Sequence, residues 1–140
     1  MTNHPRSVAM NYLSRREHSR AELKRKLLAK DFSPGDIDVT LDKLTSDGLQ
    51  SDDRFSENYV RYRSQQGFGP LRIAMELRER GITDDIIDQH IDINASMWKK
   101  HMASVQKKKF SGTTKSLQQQ YRFLLHRGFS PEAIAKIIEY

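Results

Sequence analysis

The sequence predicts an all-α protein of three tandem three-helix, helix-turn-helix-like repeats forming an elongated, curved right-handed-type array. Three observations predict it. A turn motif recurs at a spacing of about fifty residues, a helix N-cap residue follows each turn, and period-two apolar alternation is nearly absent. The turns read Asp31-Phe32-Ser33, Gly81-Ile82-Thr83 and Gly128-Phe129-Ser130. Glycine at the second and third is the expected helix C-terminal residue, because it alone enters the left-handed region without a Cβ penalty; Asp31 replaces it in the first.

The elements follow in order. A helical stretch, Val8 to Arg16, opens the first repeat, and Ser19-Arg20-Ala21-Glu22 has the capping-box order that starts a second helix, closed by Leu27. Ser33 then caps a third helix with Pro34 at its first position, where the missing N–H costs nothing. After a linker over Thr45 to Asp53, rich in Asp, Ser and Gly, the second repeat has Arg54 to Gln65, a helix from Gly69-Pro70 to Leu77, and a short helix after Thr83. After Ala95 to Lys108 and a linker over Phe110 to Thr114, the third has a helix start near Thr114 or Lys115, Leu124 closing it, and a last helix after Ser130-Pro131. Ile37, Ile87 and Ile134 stand one turn before Leu41, Ile91 and Ile138, so the three last helices share one buried face. The repeats are bounded at 1–50, 51–94 and 95–140, and nine short helices would extend on the order of 60 to 80 Å.

Composition narrows the function. The 140 residues are 36% hydrophobic and 30% charged, so much of the chain is solvated helix surface around a thin core. The absence of cysteine removes disulfides, thiolate metal sites and cysteine nucleophiles, and fits a reducing, cytoplasmic setting. No window approaches the roughly 18 apolar residues of a membrane span, and the start, Met1 to Met10, has no signal-peptide core. A net charge of +6 favours anionic partners.

The charge alternates with the repeat. Residues 6–30 carry +6, residues 31–58 carry −6, residues 59–80 carry +3, residues 81–94 carry −4, and residues 95–127 carry +8 without a single acid. Stacked repeats would align the basic helices as a stripe. Local pairing of exposed charges is the competing account. Against it, Lys99, Lys100, Lys107, Lys108, Lys109, Lys115, Arg122 and Arg127 have no acid within their own segment.

Motifs that invite chemistry have plainer readings. Gly67-Phe68-Gly69 lacks the Gly-Lys-Ser/Thr ending of a nucleotide P-loop and follows no strand, so it reads as an interhelical turn. The histidines His4, His18, His90, His101 and His126 are scattered without metal-ligand spacing. Asp84 and Asp85 follow Thr83, where they complement a helix dipole, although Asp88 and Asp92 lie close enough to suggest a cation cluster. Trp98, Met102 and Val105 fall at helical spacing and read as core, although Trp98 could stack on a base. Tyr59 and Tyr62 interleave with Arg61 and Arg63, a composition suited to single-stranded nucleic acid, with Tyr62 alternatively in the core. No nucleophile–base pair is present, and neither an enzyme, a cofactor nor a metal is expected.

With those residues in hand, the sequence resembles the RecX family of bacterial recombinase regulators. The resemblance is carried by Asp52-Asp53-Arg54-Phe55, Tyr59, Arg61, Arg63-Ser64, Gly67-Phe68-Gly69-Pro70 and Glu76-Leu77-Arg78 to Gly81-Ile82. It extends to Ser14-Arg15-Arg16-Glu17-His18-Ser19 with Glu22-Leu23 and Lys26-Leu27, and to Trp98 and Tyr121-Arg122-Phe123-Leu124-Leu125-His126-Arg127-Gly128-Phe129. Asp31 departs from the commoner Gly, and the sequence ends at Tyr140 without the C-terminal tail of some members. The resemblance implies a modulator that binds the RecA filament on single-stranded DNA along its groove, across adjacent protomers. It would inhibit filament extension, ATP hydrolysis, strand exchange and co-protease activity, while the ATPase belongs to RecA. The anion-facing candidates are Arg61, Arg63, Arg72 and Arg78, then Lys99, Lys100, Lys107, Lys108 and Lys109, with Arg15 and Arg16 in the opening pattern. A stand-alone basic module binding single- or double-stranded DNA is the alternative. Without a sustained heptad, a monomer away from membranes is expected.

Overall fold

The computed structural model describes residues 4–112 and 114–138, and among the described residues it contains nine α-helices and no strand. They are α1 (Pro5–Leu13), α2 (Arg20–Ala29), α3 (Pro34–Ser46), α4 (Asp52–Gln65), α5 (Pro70–Glu79), α6 (Asp84–His90), α7 (Ser96–Phe110), α8 (Leu117–Arg127) and α9 (Pro131–Ile138). Met1 to Asn3, Thr113 in the second linker, and Glu139 and Tyr140 at the end of the third repeat lie outside the described residues.

The helix starts have local causes. At α2 the Ser19 hydroxyl accepts from the Glu22 N–H while the Glu22 carboxylate accepts from the Ser19 N–H, a complete capping box. The Ser33 and Ser130 hydroxyls cap α3 and α9 by accepting from the N–H groups of Asp36 and Ala133. The expected third start at Thr114 or Lys115 falls one or two residues later, where Ser116 and Gln119 form a second capping box. Pro5 opens α1 three residues before the expected Val8, because proline suits the first helical position. That helix ends at Leu13 instead of Arg16. Among the described residues Asp31 is the one non-glycine with positive φ, at 67°, matching Gly81 at 80° and Gly128 at 103°.

The chain forms two compact units, Met1–Tyr59 with Leu77–Ile87 and Val60–Glu76 with Asp88–Tyr140. In the first, α1, α2 and α3 pack on one another around Ala9, Leu23, Leu27, Ile37, Leu41 and Leu44, all fully buried. Burying each leucine or isoleucine contributes about 1.5–3 kcal/mol before the entropy of ordering is subtracted. The Ser19 hydroxyl also donates to the Arg80 carbonyl at 2.7 Å, and a Cβ on Gly81 would lie 2.4 Å from that of Ala21, so the α5–α6 turn sits directly against the start of α2.

In the second unit α7 packs on α8 and α8 on α9, burying Trp98, Met102, Leu124, Phe129, Ile134 and Ile138. Trp98 therefore occupies the core. Tyr62, expected in the core or on a nucleic-acid face, is 59% exposed. The turn between α4 and α5 docks on the end of α8: the Gly69 N–H donates to the Arg127 carbonyl at 2.7 Å and the Leu71 N–H to the Gly128 carbonyl at 3.0 Å. A Cβ on Gly69 would come within 2.6 Å of the Gly128 backbone, and one on Gly128 within 2.3 Å of Arg72 Cβ. Glycine at both positions is what permits this approach. Gly67-Phe68-Gly69 is thus an interhelical turn.

Candidate anion-binding surface

The alternating charge resolves differently along the chain. In the first repeat the basic and acidic helices neutralise one another: Arg20 pairs with Asp42 at 2.7 Å, Lys24 with Asp38 at 3.2 Å and Lys43 with Asp47 at 3.3 Å. Arg6 reaches Asp47 at 3.3 Å, and Arg54 reaches Glu17 at 2.5 Å. Arg16 binds Glu22 at 3.2 Å, while Arg15 is exposed. Burial acts to raise the Glu22 carboxyl, but its bonds to the Arg16 side chain and the Ser19 N–H hold it below the usual glutamate range. His18 is buried behind this array, with Nδ1 3.1 Å from the Arg16 carbonyl and Nε2 2.8 Å from the Lys26 ammonium. Desolvation, with the Arg16 and Lys26 charges, lowers its pKa despite the opposing backbone hydrogen bond, so the ring is neutral, donating from Nδ1 and accepting at Nε2.

The central arginines separate into two groups. Arg63 and Arg72 converge on Glu76, which is buried: Arg63 makes a two-pronged contact at 2.9 and 2.8 Å, and Arg72 adds a third at 3.1 Å. Both guanidiniums lie over the Phe68 ring, at 3.9 and 4.5 Å from its centroid. Their guanidiniums engage Glu76 inside the unit, and both side chains are partly buried. Arg78 pairs with Asp84 at the start of α6 in an exposed contact of 2.9 Å, and Arg61 is exposed. Asp84 thereby faces a cation as well as the helix start, and among the described residues no group of three or more His, Asp or Glu side chains is arranged to hold a metal ion.

Residues 95–127 behave otherwise. Lys99, Lys100, Lys107, Lys108 and Lys109 are all exposed on α7, and among the described residues none of them makes a salt bridge. They are not one patch. Lys100, Lys108 and Lys109 line a cleft of about 600 Å³ together with His101, Phe123 and Arg127, walled on its other side by Ser64 to Gly67. Lys99 lines a separate cleft of about 260 Å³ beside Trp98 and Phe129, and Lys107 lines neither. Residues 100, 101, 104, 105, 108 and 109 form the face of α7 that lines the cleft, and Lys107 falls just beyond its edge, beside Lys100. Arg127 is the component that composition did not single out from its neighbours. Its guanidinium sits 4.7 Å from the Phe68 centroid and 5.0 Å from that of Phe123, and Nη1 donates to the Gln66 carbonyl at 3.2 Å. Only the sixty-one-residue approach of Gln66 to Arg127 reveals this, and no local pattern signals it.

These features define an all-helical repeat protein with a cation-lined cleft. Two family models place it more narrowly: the first three-helix domain of RecX matches residues 6–44 and the second matches residues 51–91. The chain belongs to the RecX family. It is 41% identical over 137 residues to the regulatory protein RecX of Pseudomonas entomophila, covering 95% of this chain and 88% of that protein, and 39% identical at the same coverage to that of Pseudomonas fluorescens. The crystal structure of RecX from Lactobacillus salivarius superposes with a TM-score of 0.79 at 26% identity, over 96% of this chain and 92% of that one. Its relatives carry the name of a regulatory protein, and no described helix is long and apolar enough to cross a membrane.

Proposed function

We propose that this protein is a negative regulator of RecA, binding the RecA–single-stranded-DNA filament in its groove across adjacent protomers. It inhibits filament extension, ATPase, strand exchange and co-protease activity, acting in the cytoplasm as a monomer whose contacts are divided among repeats 1–50, 51–94 and 95–140. Membership of a family of regulatory proteins carries this reading. The unpaired cations of residues 95–127 support it, because a filament bearing nucleic acid supplies the missing negative charge. A ligand spanning two protomers can bias their relative orientation only by binding one arrangement better than the other, which a multi-repeat protein is suited to do.

The test is RecA's ATPase rate on single-stranded DNA with increasing amounts of this protein at two salt concentrations. Inhibition well below one copy per RecA protomer is expected. Reversal of Lys107, Lys108 and Lys109 to Glu should weaken filament binding with helicity unchanged; unaltered inhibition by that variant would remove the role given to these lysines. Absence of inhibition together with salt-sensitive binding to bare DNA would favour the stand-alone DNA-binding module.

A further inference from the structure

The cleft between α7, α8 and the α4–α5 turn has a property that a solvated basic surface lacks: one of its cations is fixed in advance. Arg127 lies against the faces of Phe68 and Phe123, with one N–H committed to the Gln66 carbonyl, and among the described residues it pairs with no carboxylate. Its rotamer freedom is already restricted and its charge is not offset, so a ligand would meet little of the usual ordering cost there. Beside it, Lys100 and Lys108 stand eight residues apart on one face of α7, about 12 Å along the helix, with Ser104 between them. Lys109 completes the set, its ammonium 5.3 Å from the Phe123 centroid. No acid lines this cleft.

We propose that this cleft is a phosphate-binding site anchored by Arg127, which accepts closely spaced phosphate groups from a nucleic-acid strand or a free polyphosphate. Four cations within about 600 Å³ require several negative charges in the same small volume. A phosphodiester strand or a polyphosphate carries them on its own backbone, whereas an acidic peptide would have to order several separate side chains to present them. The Arg127 fork matches paired phosphate oxygens, the lysines act as point charges, and the Ser104 side chain offers a hydrogen bond without reading sequence. The inference rests on the reading that the cations of residues 95–127 meet an external anion. Its test omits RecA, so a failure here and a failure to inhibit RecA are separate results.

The full chain is titrated with inorganic tripolyphosphate by calorimetry, and with a labelled oligothymidylate of about 16 nucleotides by anisotropy, at about 50 and about 200 mM salt. The variants are K100Q/K108Q in the cleft and K24Q/K43Q outside it, on lysines already paired with Asp38 and Asp47, equal in charge removed. The cleft pair should weaken binding about tenfold and make the logarithmic salt slope shallower by about 1.4, while the outer pair changes affinity by less than about threefold. R127K, which keeps the charge and loses the fork, should also weaken binding with an unchanged melting temperature. Competition of tripolyphosphate with the oligonucleotide identifies a site open to free polyphosphate, and oligonucleotide binding without competition identifies the strand backbone; both support the site. Equal weakening by the two lysine pairs, or no binding of either probe at the lower salt, would overturn it.

Discussion

The first repeat and the α7–α8 region begin from the same sequence pattern and reach opposite electrostatic ends. Residues 6–30 carry +6, but the neighbouring stretch of −6 supplies Asp38, Asp42 and Asp47 to Lys24, Arg20 and Arg6. Residues 95–127 carry +8 and have no acid to return to. Exposed ion pairs contribute only about 0–1 kcal/mol each, so the consequence of pairing is less stability than field. Paired charges cancel beyond a Debye length of about 8 Å, whereas an unpaired row projects a positive potential. A basic helix is therefore a candidate partner surface only after its local acids have been accounted for.

The largest effect that sharpens this contrast is on the cores. Leu41→Ala, in the fully buried cluster of the first repeat, should cost about 2–5 kcal/mol in urea unfolding and leave oligonucleotide affinity of the folded protein unchanged. Glu76→Gln should cost about 2 kcal/mol, because it leaves two half-buried guanidiniums against Phe68 with one charge partner removed. It should also loosen the turn beside the cleft and so lower anion binding, unlike Leu41→Ala.

A smaller effect distinguishes the two regions by pH. His18 is held neutral by burial, so its folded pKa lies below the unfolded value of about 6.5. The unfolded chain takes up that proton first on acidification, and stability is lost as pH falls from about 6.5 toward the folded pKa. Urea midpoints measured across that window should decline in the wild type, with a shallower decline in His18→Gln. The smallest effect is Lys24→Gln, which should change stability by no more than about 0.5 kcal/mol, since its bridge to Asp38 is exposed on both sides. A tenfold loss of anion binding in that variant would erase the distinction between the regions.

Much of the scaffold is legible in the sequence because its signals are local. Ser19 with Glu22, Ser33 with Pro34, Ser130 with Pro131, and the isoleucine pairs from Ile37 to Ile138 each act within one or two helical turns. Ser116 with Gln119 carried the same signal but was obscured by the polar run around it. The site was legible only as a charge excess. That Arg63 is taken up by Glu76 depends on a contact thirteen residues apart, and that Arg127 is held by Phe68 and Gln66 depends on the Gly69 and Gly128 backbones meeting. Composition counts such arginines as equal, and packing makes one a structural tie and the other a pre-set charge.

The most direct test of this account compares RecA's ATPase on single-stranded DNA under two charge-matched variants. R20Q/K24Q/K43Q removes three cations that already have acidic partners, and K100Q/K108Q/K109Q removes three that have none. Near wild-type inhibition by the first and at least about tenfold weaker inhibition by the second are expected, with both melting cooperatively. Equal losses in the two variants would contradict it, showing that net charge alone, and not its local balance, directs this protein to its partner.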